Sequence, residues 1–188
     1  MERLLTYWQL KYHFTDYQIA KLGYLFKTLA SEISKLIIMA VLFHDRISYY
    51  LFAVTLLFFL RIHTGGLHFN SYLSCLITSS LYFFLSIYIL PMFFCSKLIE
   101  LILLFICILI TYYIGPVTSK YRPKPTKEFS KKCRISTFNV IFFYLILTYI
   151  FPQTLYISVG FWVIILHTLQ LVIAKSLKKG GFKECSHH

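Results

Sequence analysis

Long apolar runs are the feature that most constrains this chain. Five runs carry at most one charged residue each, and they cover residues 47–60, 74–94, 98–114, 135–151 and 155–174. Each approaches the roughly 20 residues that an α-helix needs to cross the hydrocarbon of a bilayer. Charged residues make up only 14% of the 188 residues, whereas a soluble domain is about a quarter charged. The sequence therefore predicts an all-α, polytopic integral membrane protein.

A sixth span is less plain than the other five. Residues 36–43 are apolar but too short to cross alone. A crossing helix would begin near Leu22 and would carry Lys27, Glu32 and Lys35. Glu32 and Lys35 are three residues apart, so they can pair on one face of that helix. We expect this helix to be the first span.

The rival topology fuses residues 36–60 into one long helix. That helix would hold His44, Asp45 and Arg46 at mid-span, where three consecutive polar residues are expensive. We therefore prefer about six transmembrane helices.

The charge distribution predicts the orientation in the membrane. The net charge is +12, and we attribute it to the excess of Lys and Arg in cytoplasmic loops rather than to nucleic-acid binding. With six spans, the N-terminal segment, the loop at 61–73, the basic loop at 115–134 and the tail share one side, whereas only Arg46 and Lys97 face the other. The prediction is a multi-pass cell-membrane protein with both termini cytoplasmic and with anionic lipid headgroups as partners.

The N-terminal segment, residues 1–28, is predicted to lie at the membrane–water interface. Its first half carries a helical apolar stripe of the kind that lies in the headgroup region, formed by Leu4, Leu5, Trp8 and Tyr12. Thr15 and Gln18 have the spacing of a capping box for a second helix start.

We expect residues 1–188 to form a single membrane domain, which has six further parts after the N-terminal segment. They are spans 1–2 within 29–60, a reactive segment at 61–75, spans 3–4 within 74–114, the basic cytoplasmic loop at 115–134, spans 5–6 within 135–174, and a basic tail at 175–188.

The segment at 61–75 concentrates reactive side chains at a membrane boundary. A cysteine becomes nucleophilic when a neighbouring imidazole takes its thiol proton, and His68 and Cys75 are the candidates. On one straight helix, seven residues would separate them by about 10.5 Å, which is beyond hydrogen-bond reach. We therefore expect a re-entrant or broken segment, which Gly65 and Gly66 permit. Backbone N–H groups at the following helix start would then be available to an oxyanion.

Other interpretations of the same residues stay open at this point. Membrane cysteines often only pack, and a Gly-Gly pair before a span is often only a turn. A metal site of His63, His68 and Cys75 is weaker, because the two histidines do not share a helix face and no fourth ligand is evident. The five cysteines include no CxxC pair, so we expect neither a metal nor another cofactor.

The spacing Arg61-x4-Gly66-x-His68-x6-Cys75 resembles the signature of the accessory gene regulator B (AgrB) family, membrane peptidases of bacterial quorum sensing. Chain length, about six spans and a basic loop with prolines after the fourth span are similar as well. The resemblance implies that His68 and Cys75 form a catalytic dyad. It implies that Arg61 and Gly66 are motif positions, and these two residues and Gly65 are candidates for substrate or oxyanion binding. A third, orienting residue is not identified; Glu32 and Glu100 are the candidates, and Asp45 is expected on the wrong side.

The resemblance also implies a substrate, a short AgrD-type precursor peptide with an acidic C-terminal tail. Cys75 would cleave off that tail and hold the rest as a thioester, which then cyclises to a thiolactone or a lactone. Six basic residues are candidates to bind the tail: Lys120, Arg122, Lys124, Lys127, Lys131 and Lys132. A homodimer is a family-level expectation. The alternatives are a small-peptide exporter or transporter and a lipid-binding scaffold without peptidase activity.

Overall fold

The computed structural model describes residues 15–66, 71–93, 95–117 and 126–180. These ranges form six α-helices, and the all-α prediction is confirmed. The helices are α1 Asp16–Leu42, α2 Ile47–Thr64, α3 Tyr72–Phe84, α4 Lys97–Ile114, α5 Lys127–Ile150 and α6 Leu155–Gly180. A π-turn at Leu85–Ile89 and a 3-10 turn at Leu90–Met92 extend α3.

Five of the described helical segments are long and apolar enough to cross a membrane. They are His44–Thr64, Tyr72–Met92, Lys97–Ile114, Lys127–Ile150 and Leu155–Leu177. These correspond to the five plain apolar runs. Helix α1 is not among them, although it has 27 residues, and the sixth span stays a prediction.

The chain divides into two compact units, Met1–His44 and Asp45–His188. In the first unit, α1 begins with the predicted capping box, in which Thr15 Oγ1 accepts from Gln18 N and Gln18 Oε1 accepts from Thr15 N. Glu32 and Lys35 form the predicted ion pair. Helix α1 continues without interruption past residue 28, the predicted boundary between the interfacial segment and the first span.

The rival topology with one helix over 36–60 is wrong. Helix α1 ends at Leu42, and a 3-10 turn at His44–Arg46 precedes α2. Phe43 N donates to Met39 O at 2.9 Å and closes the last turn of α1. The polar residues therefore lie in a break between two helices and not at the middle of one.

Helices α2–α6, in the second unit, form a bundle around an apolar core. Helix α4 packs against α5 and α6, and α2 packs against the same two helices. The core includes Leu60 from α2, Leu104 from α4, Ile141 from α5, and Phe161 and Ile164 from α6, all fully buried.

Contacts between helix ends show that successive helices of the bundle run in opposite directions. At one end, Val117 N donates to Thr64 O at 2.8 Å, and Lys175 Nζ donates to Ile114 O at 3.4 Å. We call this the motif end. At the opposite end, Arg46 Nη1 donates to Ile87 O at 3.1 Å. The loops after α2 and after α4 therefore share one end, as the parity of the spans predicts.

Helix α5 begins eight residues before the predicted start of its span at residue 135. Thr126 is its N-cap, with Oγ1 accepting from Phe129 N at 3.3 Å, and Glu128 lies in the first turn, where a negative charge is favoured. Residues 127–134 of the predicted basic cytoplasmic segment are therefore helical. Cys133 is buried within this helix.

Candidate functional site

Gly65 makes the break between α2 and α3 possible. Its φ of 73° and ψ of −147° end α2, and its N–H still donates to Arg61 O at 2.9 Å. Gly65 forms a backbone bridge with Val117, beyond the end of α4. A Cβ at Gly65 would lie 2.3 Å from Val117 O. Both the positive φ and the close approach of a second backbone require glycine here.

Gly66 meets a different neighbour, the guanidinium group of Arg61. Gly66 is buried, and a Cβ there would lie 3.5 Å from Arg61 Nε, which is ordinary contact. Arg61 Nη2 donates to Gln170 Oε1 at 3.2 Å. Within the described part of the chain, the buried Arg61 Nε has no hydrogen-bond partner. Arg61 thus joins the end of α2 to α6 and lies against the glycine that follows the break.

A buried hydrogen-bond relay supports the last turn of α2 from α6. Thr64 Oγ1 donates to Leu60 O at 2.8 Å and lies 2.8 Å from Nε2 of the fully buried His167. The Thr64 hydroxyl also lies 3.3 Å from Gly65 O, so it connects His167 on α6 to the end of α2. His167 Nδ1 has no hydrogen-bond partner among the described residues.

Sequence reasoning missed His167, Gln170 and Thr64. The signal was present, because His167 and Gln170 are three residues apart within the apolar run at 155–174. Polar side chains at that spacing share a helix face, and ionisable residues inside a membrane span are functional candidates.

Cys75 lies in the first turn of α3, also at the motif end. It is half-buried and not in a disulfide bond, and its backbone N–H donates to Ser71 O at 3.1 Å. Two turns later, Tyr82 OH donates to Val163 O at 2.6 Å and holds α3 against α6. Helices α3 and α6 run in opposite directions. Cys75 lies seven residues before Tyr82 on α3, and Gln170 lies seven residues after Val163 on α6. Both lie about 10.5 Å along the axis towards the motif end.

The helix that carries Cys75 starts only after residue 71, so the predicted interruption between His68 and Cys75 is confirmed. Helix α2 ends at Thr64, and α3 begins at Tyr72. His68 itself lies within residues 67–70, outside the described residues. The structure therefore gathers Arg61, Gly65, Gly66 and Cys75 at one end of the bundle.

The basic candidates divide between described and undescribed parts of the chain. Lys127, Lys131 and Lys132 are exposed on the first turns of α5, at the motif end. Lys120, Arg122 and Lys124 lie outside the described residues. Arg134 has a different neighbourhood, because its guanidinium lies against Gly115 and 6.0 Å from the centre of the Tyr112 ring.

Glu100 lies far from Cys75, and Asp45 and His63 contact other side chains. Glu100 is in the first turn of α4, fourteen residues before Ile114, which is about 21 Å of helix. Glu100 as an orienting third residue is therefore wrong. Asp45 lies at the opposite end, as expected, and accepts from Tyr88 OH at 2.5 Å. Glu32 lies on α1, and His63 Nε2 lies 3.0 Å from Ser136 Oγ on α5.

Comparison with known proteins gives one match. A family model described as Accessory gene regulator B matches residues 2–171 of the chain. No curated protein and no solved structure matches it.

Proposed function

Because the chain belongs to the accessory gene regulator B family, we propose that it is a membrane-embedded cysteine endopeptidase that processes an AgrD-type precursor peptide. Family membership supports a role in the agr quorum-sensing system. The observation that carries the proposal is the break between α2 and α3. It leads from the Arg61–Gly66 contact into the helix whose first turn holds Cys75.

In the proposed first step, His68 takes the proton from Cys75 Sγ, and the thiolate attacks the backbone carbonyl carbon between signal segment and tail. Charge develops on the carbonyl oxygen, and the first N–H groups of α3 are suitable donors to it. Ser71, the N-cap of α3, makes no side-chain hydrogen bond to these groups. The C–N bond then breaks, the imidazolium protonates the departing amine, and the acyl group remains on Cys75 as a thioester.

In the proposed second step, a thiol or hydroxyl group of the substrate displaces Cys75. The new ester bond closes a thiolactone or lactone ring, and Cys75 recovers its thiol proton. Exchange between two thioesters is close to isoenergetic, whereas hydrolysis runs downhill, so a water-poor site preserves the intermediate. The position of Cys75 at the start of a membrane-spanning helix supports this requirement.

The exposed lysines at the start of α5 support binding of an acidic tail at the motif end. Lys127, Lys131 and Lys132 present three positive charges within two turns. The same charges favour a cytoplasmic location of this end, because Lys and Arg are enriched in cytoplasmic loops and meet anionic lipids there. Among the described residues of the second unit, Arg46 and Lys97 are the Lys and Arg side chains near the opposite end.

The test is to co-express the chain with a tagged AgrD-type precursor and to compare wild type with Cys75→Ala and His68→Ala. We expect wild type to shorten the precursor and both variants, inserted at equal levels, to leave it intact. A thioester trapped on Cys75 would identify the nucleophile. An exporter or a lipid-binding scaffold would tolerate Cys75→Ala, so processing by that variant would refute the peptidase.

A further inference from the structure

A second polar site lies at the opposite end of the bundle, remote from Cys75. A cavity of about 270 Å³ opens there between the turn after α3, the start of α4 and the loop before α6. Its lining includes the exposed residues Phe93, Gln153 and Thr154, so the cavity communicates with the surface. Since one water occupies about 30 Å³ of the liquid, the space suits a small organic group.

Glu100 is the charged residue of this cavity. It lines the cavity although only 4% of its surface is exposed. Its Oε2 atom is buried and has no hydrogen-bond partner in the described part of the chain. A buried polar atom without a partner is costly, and an acidic group in a membrane-spanning helix is rare without a purpose. The Gln153 side chain bonds to the carboxyl group, and the Oε2 atom stays without a partner among the described residues.

The nearby cation on the same helix is directed elsewhere. Lys97, three residues before Glu100, donates to Phe151 O at 3.4 Å and lies 5.8 Å from the centre of the Tyr149 ring. Within residues 15–66, 71–93, 95–117 and 126–180, no ion pair with Glu100 forms within 4 Å. Lys97 therefore acts on the Glu100 carboxyl group as a nearby positive charge and forms no ion pair with it.

The remaining polar lining consists mainly of acceptors. Gln153 Nε2 donates to Cys95 O at 3.0 Å, and the Gln153 side chain also hydrogen-bonds the Glu100 carboxyl group, which leaves the Gln153 amide oxygen as an acceptor. Thr154 and Ser158 add hydroxyl oxygens. A primary ammonium group offers three N–H donors and one positive charge, which complements one carboxylate and several neutral acceptors. A divalent cation takes six or more oxygen ligands and usually several carboxylates, and it fits this lining less well.

We propose that this cavity, the Glu100 pocket, binds a primary ammonium group at the end of the bundle opposite Cys75. The ammonium group belongs either to a phosphatidylethanolamine headgroup or to a peptide amine. Binding does not use the cleavage chemistry, so the Glu100 pocket and the peptidase can be tested separately.

Cys95 lines the same cavity and serves as a reporter thiol. The full chain in detergent is treated with the aminoethyl, methyl or sulfonatoethyl methanethiosulfonate, and peptide mass spectrometry gives the labelling rate at Cys95. The ratio of the aminoethyl rate to the methyl rate at Cys95 is divided by the same ratio for free cysteine. The result is the normalised rate ratio. We expect wild type to favour the cationic reagent about tenfold, which corresponds to about 1.4 kcal/mol, and to disfavour the anionic one.

Glu100→Gln keeps the shape of the side chain and removes the charge, so its ratio should fall to about one. Glu128→Gln, which neutralises an exposed carboxylate at the motif end, is the matched control and should keep the wild-type ratio. An unchanged methyl rate shows that the cavity is intact, and continued precursor processing by Glu100→Gln shows that the peptidase is separate. Equal ratios for wild type and Glu100→Gln would overturn the proposal.

The source of the ammonium group is decided by protection of Cys95. Slower labelling in phosphatidylethanolamine nanodiscs than in phosphatidylcholine nanodiscs assigns the lipid headgroup. Slower labelling with triglycine amide, but not with its N-acetyl form, assigns a peptide amine. Protection by neither probe overturns the proposal.

Discussion

Two adjacent glycines in the break between α2 and α3 have different requirements. At Gly65, a Cβ would lie 2.3 Å from Val117 O, and φ is 73°. At Gly66, a Cβ would lie 3.5 Å from Arg61 Nε. We predict that Gly65→Ala lowers the free energy of unfolding by about 1–3 kcal/mol and reduces precursor processing, whereas Gly66→Ala is tolerated. Thermal unfolding in detergent and the processing assay measure both effects.

Equal stability of the two alanine variants would show that the close approach of Gly65 to Val117 is not a constraint. The sequence predicts a turn from the glycine pair but not this distinction between its members. The difference depends on a backbone carbonyl beyond the end of α4, which no pattern near Gly65 reveals.

The relay from His167 to Thr64 gives a second prediction at this scale. Thr64→Val removes the hydroxyl that His167 contacts and leaves a buried imidazole nitrogen without its partner. We expect a loss of about 1–3 kcal/mol in the free energy of unfolding and weaker processing, since the loss occurs beside Gly65. Thr64→Ser should restore both.

Thr55 provides the matched control for this prediction. Its Oγ1 also donates to a backbone oxygen one turn earlier, Leu51 O at 2.8 Å, but it is exposed. Thr55→Val should change stability by less than about 0.5 kcal/mol. A similar loss from both variants would mean that the helix backbone contact, and not His167, is responsible.

At the scale of the helices, hydropathy locates the spans but not all of their ends. The run at 135–151 is apolar, yet α5 begins at Lys127 because Thr126 caps it and Glu128 suits its first turn. A cap is a local backbone event that can occur within a charged segment, so the apolar run alone places the start too late. The consequence is functional, because three of the candidate lysines lie on a helix and not on an extended loop.

This placement predicts how the α5 lysines act. The triple change of Lys127, Lys131 and Lys132 to Gln should raise KM for a precursor with an acidic tail about tenfold at low salt and leave kcat nearly unchanged. The reason is that the role proposed for these exposed groups is to attract the tail and not to take part in the chemistry. The rise should shrink as salt is added. Lys97→Gln, at the opposite end, is the control. A fall in kcat with unchanged KM would indicate a role in the chemistry instead.

At the scale of the whole molecule, much of the site's location follows from counting spans. Two crossings separate the loop after α2 from the loop after α4, so the sequence places both on one side, and the Gly65–Val117 bridge agrees. The contribution of α6 does not follow from counting. His167 and Gln170 reach Thr64 and Arg61 only because α6 packs on α2, and helix neighbours in a bundle depend on side-chain fit.

The same architecture predicts the sidedness of the membrane protein. Among described residues, Lys127, Lys131 and Lys132 are at the motif end, so we expect this end to be cytoplasmic. In a cysteine-depleted background, Met92→Cys, which is 74% exposed near the opposite end, should react with an impermeant maleimide on intact cells. Lys131→Cys, also exposed, should react only after the membrane is permeabilised. The cysteine-depleted parent gives the background.

The reverse labelling pattern would put the motif end outside the cell. Cys75 would then face a compartment in which thiols are readily oxidised, and a cytoplasmic precursor would have to cross the membrane before cleavage. The expected pattern avoids both difficulties. It places the nucleophile and the exposed lysines on the side where a newly made precursor is available, and it leaves the Glu100 pocket on the outer side. Sidedness therefore links the chemistry at one end of the bundle to the binding site at the other.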